Sequence, residues 1–119
     1  MARRRISEDA GKRALALWKQ EQEGTLREDL YTAVRWALEE LNLLYPGRAV
    51  EIRVPPAGAV QAFEGTVHRR GTPPSVIEMD PHTWLRLATG SLEWNEACAT
   101  GRAQASGERT DLSNYLPFI

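Results

Sequence analysis

The sequence contains few residues that support covalent or metal chemistry. Among its 119 residues there is one cysteine, Cys98, so no internal disulfide can form, which is typical of proteins in a reducing cytoplasm. The two histidines, His68 and His82, have no third histidine or cysteine pair near them, and a zinc site normally uses a closer set of ligands. We therefore expect neither a metal nor a cofactor.

Long apolar runs are also missing. No stretch approaches the about 18 apolar residues of a membrane-spanning helix, and no apolar segment follows Arg3-Arg4-Arg5, so a secretory signal is not expected. The net charge is −1, which gives no general field for attracting nucleic acid. We expect a cytoplasmic protein with no nucleic-acid partner, in which residues 1–7 are a solvated, disordered basic terminus.

Motifs of enzyme active sites are absent as well. The sequence has no nucleophile elbow, phosphate-binding loop or dinucleotide fingerprint. Cys98 has no identifiable histidine partner, and a free cysteine is more often a small buried apolar residue than a nucleophile. Glu78 and Asp80 could form a carboxylate pair at a strand end, but Asp80 is better explained as a helix cap. The residues favour a protein that is not an enzyme.

Apolar spacing predicts two helices in the first part of the chain. Residues 8–22 form the first, which ends at Gly24. The second begins at a capping box, Thr25-Leu-Arg-Glu28, and stops before Pro46-Gly47. Its apolar positions recur at three- and four-residue steps, as in a helix with one buried face. They are Leu26, Leu30, Val34, Ala37, Leu38, Leu41 and Leu44.

The rest of the chain alternates between strand and helix patterns. Strands are expected at 50–54, at 59–63 continuing toward Val67, at 75–79 and at 102–106. Asp80 and Pro81 suit the start of a helix over 81–89, Ser91 is a candidate cap for a short helix through Trp94, and Thr110 or Asp111 is a candidate cap for a last helix. The predicted order, α-α-β-β-β-α-α-β-α, indicates a single α+β domain over 1–119.

Several of these segments also carry a family resemblance. A strand ends in Asp80, then come Thr83-Trp-Leu-Arg-Leu-Ala-Thr-Gly90, Trp94, Ala97, Gly101, Ala105-Ser-Gly107 and Asp111-Leu-Ser113. With Val54-Pro-Pro-Ala-Gly-Ala-Val-Gln61 and the loop from His68 to Pro74, the chain resembles the sterol carrier protein-2 superfamily over about residues 26–117. It is most similar to the small stand-alone sterol-carrier-like proteins of actinobacteria.

The resemblance implies a fold, a function and a set of contacts. The fold is a curved antiparallel sheet of about four to five strands, covered by helices that enclose an apolar tunnel. The function is binding of a sterol, fatty acid or acyl-CoA without covalent chemistry. By position, helix 81–89, the short helix near Trp94 and the C-terminal helix would flank the opening. The implied lining residues are Phe63, Ile77, Trp84, Leu87, Trp94, Leu112, Tyr115 and Leu116.

Other interpretations remain open at this point. The aromatic residues could equally fill a solid core, because sequence does not separate a filled interior from a hollow one. His68, Arg69 and Arg70 lie in a Gly/Pro-rich loop and could anchor an anionic head group, although a solvated loop is the simpler interpretation. The helical pair over 8–44 could bind a partner or form a homodimer. The chain is also similar to the C-terminal domain of mycothiol-dependent maleylpyruvate isomerases, which implies an accessory domain without a ligand.

Overall fold

The computed structural model describes residues 5–65, 75–107 and 111–119, and this part of the chain has an α+β fold with one sheet. In chain order, the helices α1 (Glu8–Glu21) and α2 (Arg27–Leu44) precede the strands β1 (Val50–Val54), β2 (Gly58–Ala62) and β3 (Ser75–Met79). The helices α3 (Pro81–Thr89) and α4 (Trp94–Ala99) and the strand β4 (Ala103–Ser106) follow, and a 3-10 turn comes last. The α+β class, the element order and the approximate strand number are confirmed. The predicted C-terminal helix is wrong, because only the 3-10 turn Ser113–Tyr115 forms there.

Helix α1 (Glu8–Glu21) begins at a serine cap. Ser7 Oγ accepts a hydrogen bond from the backbone N–H of Ala10 at 3.1 Å, which satisfies one of the free donors of the first turn. The residue before the cap is also ordered, since Ile6 packs against the core and its N–H donates to Glu39 Oε1 at 3.2 Å. Ile6 and Ser7, which the sequence assigned to a solvated terminus, therefore make contacts with the folded protein.

Helix α2 (Arg27–Leu44) follows a 3-10 turn, Gln22–Gly24. The predicted capping box is wrong: the Thr25 hydroxyl donates back to the carbonyl of Gln22 at 2.6 Å instead of accepting from the helix, and Leu26 takes the cap position. The middle of the predicted apolar face is buried. Leu26 and Leu44, at its two ends, are 73% and 48% exposed because they flank the packed part of the helix.

The sheet has strand order β2-β1-β3-β4 and is mixed rather than wholly antiparallel. Its strands are Val50–Val54, Gly58–Ala62, Ser75–Met79 and Ala103–Ser106. As expected, β1 and β2 form an antiparallel pair, and so do β3 and β4. However, β1 and β3 are parallel. The last residue of β2, Ala62, and the first residue of β3, Ser75, both lie opposite Val50, so β3 begins at the end of the sheet where β2 stops and runs in the same direction as β1.

The strand β2 ends one residue earlier than predicted and does not continue toward Val67. Phe63 has a φ of 67°, which takes the backbone out of the extended conformation. Its N–H donates to the carbonyl of Tyr45 at 2.8 Å, and its own carbonyl accepts from the N–H of Ala49 at 3.0 Å. The chain between α2 and β1 is thereby attached to the end of β2.

One face of the sheet is buried and the other is exposed. Alternate residues of β1 and β3 are buried, including Ile52 and Ile77, which lie side by side. The residues between them, such as Arg53 and Glu78, are exposed. This alternation is typical of a sheet covered by helices on one side only.

Helix α3 (Pro81–Thr89) begins and ends as the sequence predicts, with Asp80 as its N-cap and Gly90, in the left-handed conformation, as its C-cap. Helix α4 (Trp94–Ala99) follows after a short connection. Ser91 does not cap α4, because Glu93 occupies the N-cap position. The N–H of Ser91 donates to the carbonyl of Arg86 and so helps to end α3. Within the described residues, no helix is long and apolar enough to cross a membrane.

Candidate functional site

A surface cleft lies between α3, α4 and the C-terminal segment, which we define as residues 111–119. We call it the α3–α4 cleft, and its volume is about 330 Å³. The residues that line it are Leu87, Gly90, Leu92, Glu93, Trp94, Asn95, Ser113, Leu116 and Pro117. Its lining combines apolar side chains with the polar side chains of Glu93, Asn95 and Ser113. Small-molecule sites are usually lined by apolar groups together with a few polar ones.

Three of the eight predicted lining residues meet at this cleft. Leu87 comes from α3, Trp94 is the first residue of α4, and Leu116 belongs to the C-terminal segment. Leu87 and Trp94 are largely buried, whereas Leu116 is half-exposed. The fold therefore brings together three of the predicted residues from three separate elements. Their role as ligand contacts stays a prediction.

The C-terminal segment is attached to the end of α3. The backbone N–H groups of Phe118 and Ile119 both donate to the carbonyl of Ala88, at 3.0 and 3.2 Å. Pro117 packs so closely on Gly90 that a Cβ added there would lie 3.1 Å from Pro117 Cγ. Gly90 also has a φ of 91°, which other residues rarely adopt. Gly90 therefore has two roles, ending α3 and receiving Pro117.

Two further predicted residues belong to an aromatic cluster beside the cleft. The rings of Phe63 and Tyr115 lie 4.5 Å apart between centroids, and Tyr45 contacts both, at 5.5 Å from Phe63 and 4.9 Å from Tyr115. The Tyr45 and Phe63 rings are stacked, the Tyr45 and Tyr115 rings meet edge-on, and the Phe63 and Tyr115 rings are tilted. Stacked and edge-on arrangements are the favoured geometries of aromatic pairs. Tyr115 and Leu112 belong to the C-terminal segment, so this segment joins the cluster to the cleft.

The remaining predicted residues lie deeper. Ile77 and Trp84 are completely buried in the core between sheet and helices. The indole N–H of Trp84 donates to the carbonyl of Val34 at 3.3 Å, and its ring lies 5.7 Å from that of Phe118. Leu112 is also buried in this core. These side chains connect α3 with α2 and with the C-terminal segment.

Polar groups near α3 have structural roles. Partial burial acts to raise the pKa of Asp80, but hydrogen bonds from the Thr83 hydroxyl and from the N–H groups of Thr83 and His82 outweigh it and hold the pKa below its ordinary value. The carboxylate is thus engaged as a helix cap. Glu78, its possible partner in acid–base chemistry, is exposed on β3.

Cys98 is exposed on α4, and the expectation that it is a buried apolar residue is wrong. Partial burial of the sulfur raises the pKa of its thiol, and the carboxylate of Asp111 raises it further. A raised pKa lowers the fraction of reactive thiolate, which disfavours a nucleophilic role.

A second cleft, of about 450 Å³, lies between α2 and the edge strand β2. Two side chains of α2 bind backbone carbonyls on this side: Arg35 Nε donates to Ala57 O and Asn42 Nδ2 donates to Gln61 O, each at 2.7 Å. These bonds attach α2 to the turn just before β2 and to β2 itself. Sequence analysis missed both residues, since a polar position on a helix does not indicate which backbone group it will meet.

The predicted polar anchor, His68, Arg69 and Arg70, lies outside the described residues. Within the described residues, no group of three or more histidine, cysteine or carboxylate side chains is arranged to hold a metal ion. At the α3–α4 cleft, apolar side chains lie beside the polar side chains of Glu93, Asn95 and Ser113.

Comparison with known proteins identifies the family. A family model described as "Bacterial SCP ortholog" matches residues 26–118, a span that contains α2, the whole sheet and the residues of the α3–α4 cleft. Helix α1 lies before the matched span. No curated protein matches the chain. The resemblance inferred from the sequence is confirmed: the chain belongs to the family of bacterial SCP orthologs, which are related to the sterol carrier proteins.

Proposed function

We propose that the protein binds and carries an apolar ligand, without catalysis, at the α3–α4 cleft. Membership of a sterol-carrier-like family supports a lipid-binding role. The observation that carries the proposal is the α3–α4 cleft, where Leu87, Trp94 and Leu116 form apolar walls next to the core. The ligand classes are those of the resemblance: a fatty acid, an acyl-CoA or a sterol-like lipid.

The size of the cleft favours a narrow ligand. At about 330 Å³ it is near the lower end of the range for small-molecule sites, about 300–1,000 Å³. An acyl chain gains about 0.8 kcal/mol for each methylene taken out of water, so several buried methylenes suffice for measurable affinity. A rigid sterol would need more room than this cleft offers, and the fatty acid is therefore the form we favour.

Deeper binding requires movement of the C-terminal segment. This segment lies between the cleft and the aromatic cluster of Tyr45, Phe63 and Tyr115, and two hydrogen bonds to the carbonyl of Ala88 hold its end. Outward movement of Tyr115 and Leu116 would extend the cleft toward Leu112. Both moving residues are already half-exposed, so less apolar contact is lost than if core residues moved.

The proposal is tested by displacement of a fluorescent fatty acid. Replacing Leu116 by Trp adds volume to the wall of the cleft, and we expect weaker binding because the cleft is filled. Leu44→Trp is the matched control, since it makes the same change on an exposed residue at the end of α2. Equal binding by the wild type and both variants would remove the cleft from the proposal.

The packed interior favours a second candidate, an accessory or protein-interaction domain without a ligand. Ile77 and Trp84, two of the expected lining residues, are in full contact with core neighbours, and Leu26, Leu43 and Leu44 of the α2 region are exposed. Light scattering coupled to size exclusion distinguishes this candidate when Leu43→Ser and Leu44→Ser variants are compared with the wild type. Self-association that these variants abolish, together with no lipid binding, would favour it over the carrier.

A further inference from the structure

A single side-chain hydrogen bond links the end of α1 to the start of α3. Trp18 is 1% exposed, and its indole Nε1 donates to Nδ1 of His82 at 3.0 Å. An imidazole nitrogen accepts a hydrogen bond only when it carries no proton. The contact therefore requires a neutral His82 with its proton on Nε2. A protonated His82 would present an N–H to the indole N–H, and two donors cannot bond to each other.

The charged groups shown around His82 come from two elements. From the 3-10 turn after α1, Glu23 Oε2 lies 3.7 Å from Nε2 of His82, and this carboxylate attracts a proton. From α3 and its cap, Arg86 already pairs with Glu23 and opposes a second cation there, while Asp80 accepts from the backbone N–H of His82. The position in the first turn of α3 also disfavours a cation, because free N–H groups point toward that end of a helix.

His82 is within reach of solvent protons, since its side chain is 20% exposed. Histidine is the residue whose charge ordinarily changes between about pH 5 and pH 8. The acceptor of the buried Trp18 indole is therefore removed when His82 takes up a proton.

Helix α1 lies before the span that the family model matches, and 14 residues are about the length at which an isolated helix is only marginally stable in water. Its contacts with α2 and α3 therefore decide whether it forms. These contacts are made mainly by Gly11, Ala14, Leu15 and Trp18, the buried residues of the helix.

We propose that protonation of His82 releases α1 from the rest of the protein, so that the docking of α1 depends on pH. The docked state binds the neutral imidazole, and detachment takes up a proton, so docking weakens as the pH falls. Losing the bond leaves a buried donor without an acceptor, which disfavours the docked state. The detached population should then rise about tenfold or more. This inference does not depend on the carrier function.

Hydrogen exchange of the full chain tests the proposal. The protection of α1 amides, corrected for the intrinsic rate at each pH, is compared with that of α2 amides between about pH 8 and about pH 5. We expect α1 protection to fall about tenfold relative to α2 in the wild type. In His82→Asn, the amide oxygen can replace the Nδ1 acceptor at every pH, so the relative protection should not change with pH. In Trp18→Phe there is no indole donor to lose, and the profile should again be flat.

A Glu23→Gln variant identifies the titrating group. If His82 is responsible, the fall in α1 protection persists in this variant, since the imidazole still loses its acceptor function. A fall that disappears in Glu23→Gln but persists in His82→Asn would overturn the proposal, because the carboxylate would then be the sensor. An unchanged ratio of α1 to α2 protection in the wild type across this range would also overturn it.

Discussion

The substitution Gly11→Ala tests the account of how α1 packs on α2. A methyl group at this position would lie 2.1 Å from Cγ, 2.3 Å from Cδ1 and 2.5 Å from Cδ2 of Trp36. Real carbon atoms do not approach this closely, so either the Trp36 ring or the whole of α1 must move. Trp36 is almost fully buried, and a shift of α1 would also withdraw Trp18 from the core.

The expected magnitude is the balance of two effects. Overpacking of a well-packed site costs about 1–3 kcal/mol. Alanine is better than glycine inside a helix by about 1 kcal/mol. Since both the ring and the helix are held by other contacts, we place the overpacking at the upper end of its range. The free energy of unfolding should then fall by about 1–2 kcal/mol.

Urea unfolding followed by tryptophan fluorescence measures this difference, and Gly24→Ala is the matched control. A Cβ at Gly24 meets no atom within 4 Å, so we expect its stability to stay within about 0.5 kcal/mol of the wild type. If Gly11→Ala were as stable as the wild type, or more stable, the close approach of α1 and α2 would be refuted.

Two more substitutions test the capping of α3 and its contact with α2. Asp80→Ala should lower the free energy of unfolding at neutral pH by about 1–2 kcal/mol, since the helix cap is lost. Because the pKa of Asp80 is lowered in the folded state, this difference should be complete above about pH 4 and shrink as the pH falls further; a difference independent of pH would contradict the charged cap. Trp84→Phe should cost about 1–3 kcal/mol in thermal unfolding, because the carbonyl of Val34 loses its indole donor and the ring becomes smaller. A smaller loss than for the exposed control Leu44→Ala would contradict the buried contact.

Local sequence signals predicted α3 well. Asp80, Pro81 and Gly90 each act within a few residues of their own position, and all three do what their chemistry indicates. The capping box predicted at Thr25 did not form, because the Thr25 hydroxyl donates to the carbonyl of Gln22 instead of accepting a hydrogen bond from the helix. Local rules therefore predict well where one partner dominates and poorly where two compete.

Features that depend on the path of the chain were less predictable. The parallel pairing of β1 and β3 depends on the end at which each strand enters the sheet, and strand patterns do not encode this direction. At the cleft, Leu87 and Trp94 were expected as lining residues from the family resemblance. Pro117 was missed because its contact with Gly90 depends on how the C-terminal segment folds back. The hydrogen bond between Trp18 and His82 joins residues 64 positions apart, and no spacing rule relates them.

The central claim is that the α3–α4 cleft accepts an apolar ligand. Native mass spectrometry after incubation with a long-chain fatty acid tests this claim most directly. The account predicts a one-to-one complex with the wild type and with Leu44→Trp, and a much smaller fraction of complex with Leu116→Trp. If the wild type stays free of ligand even at a large molar excess of fatty acid, the carrier function is contradicted.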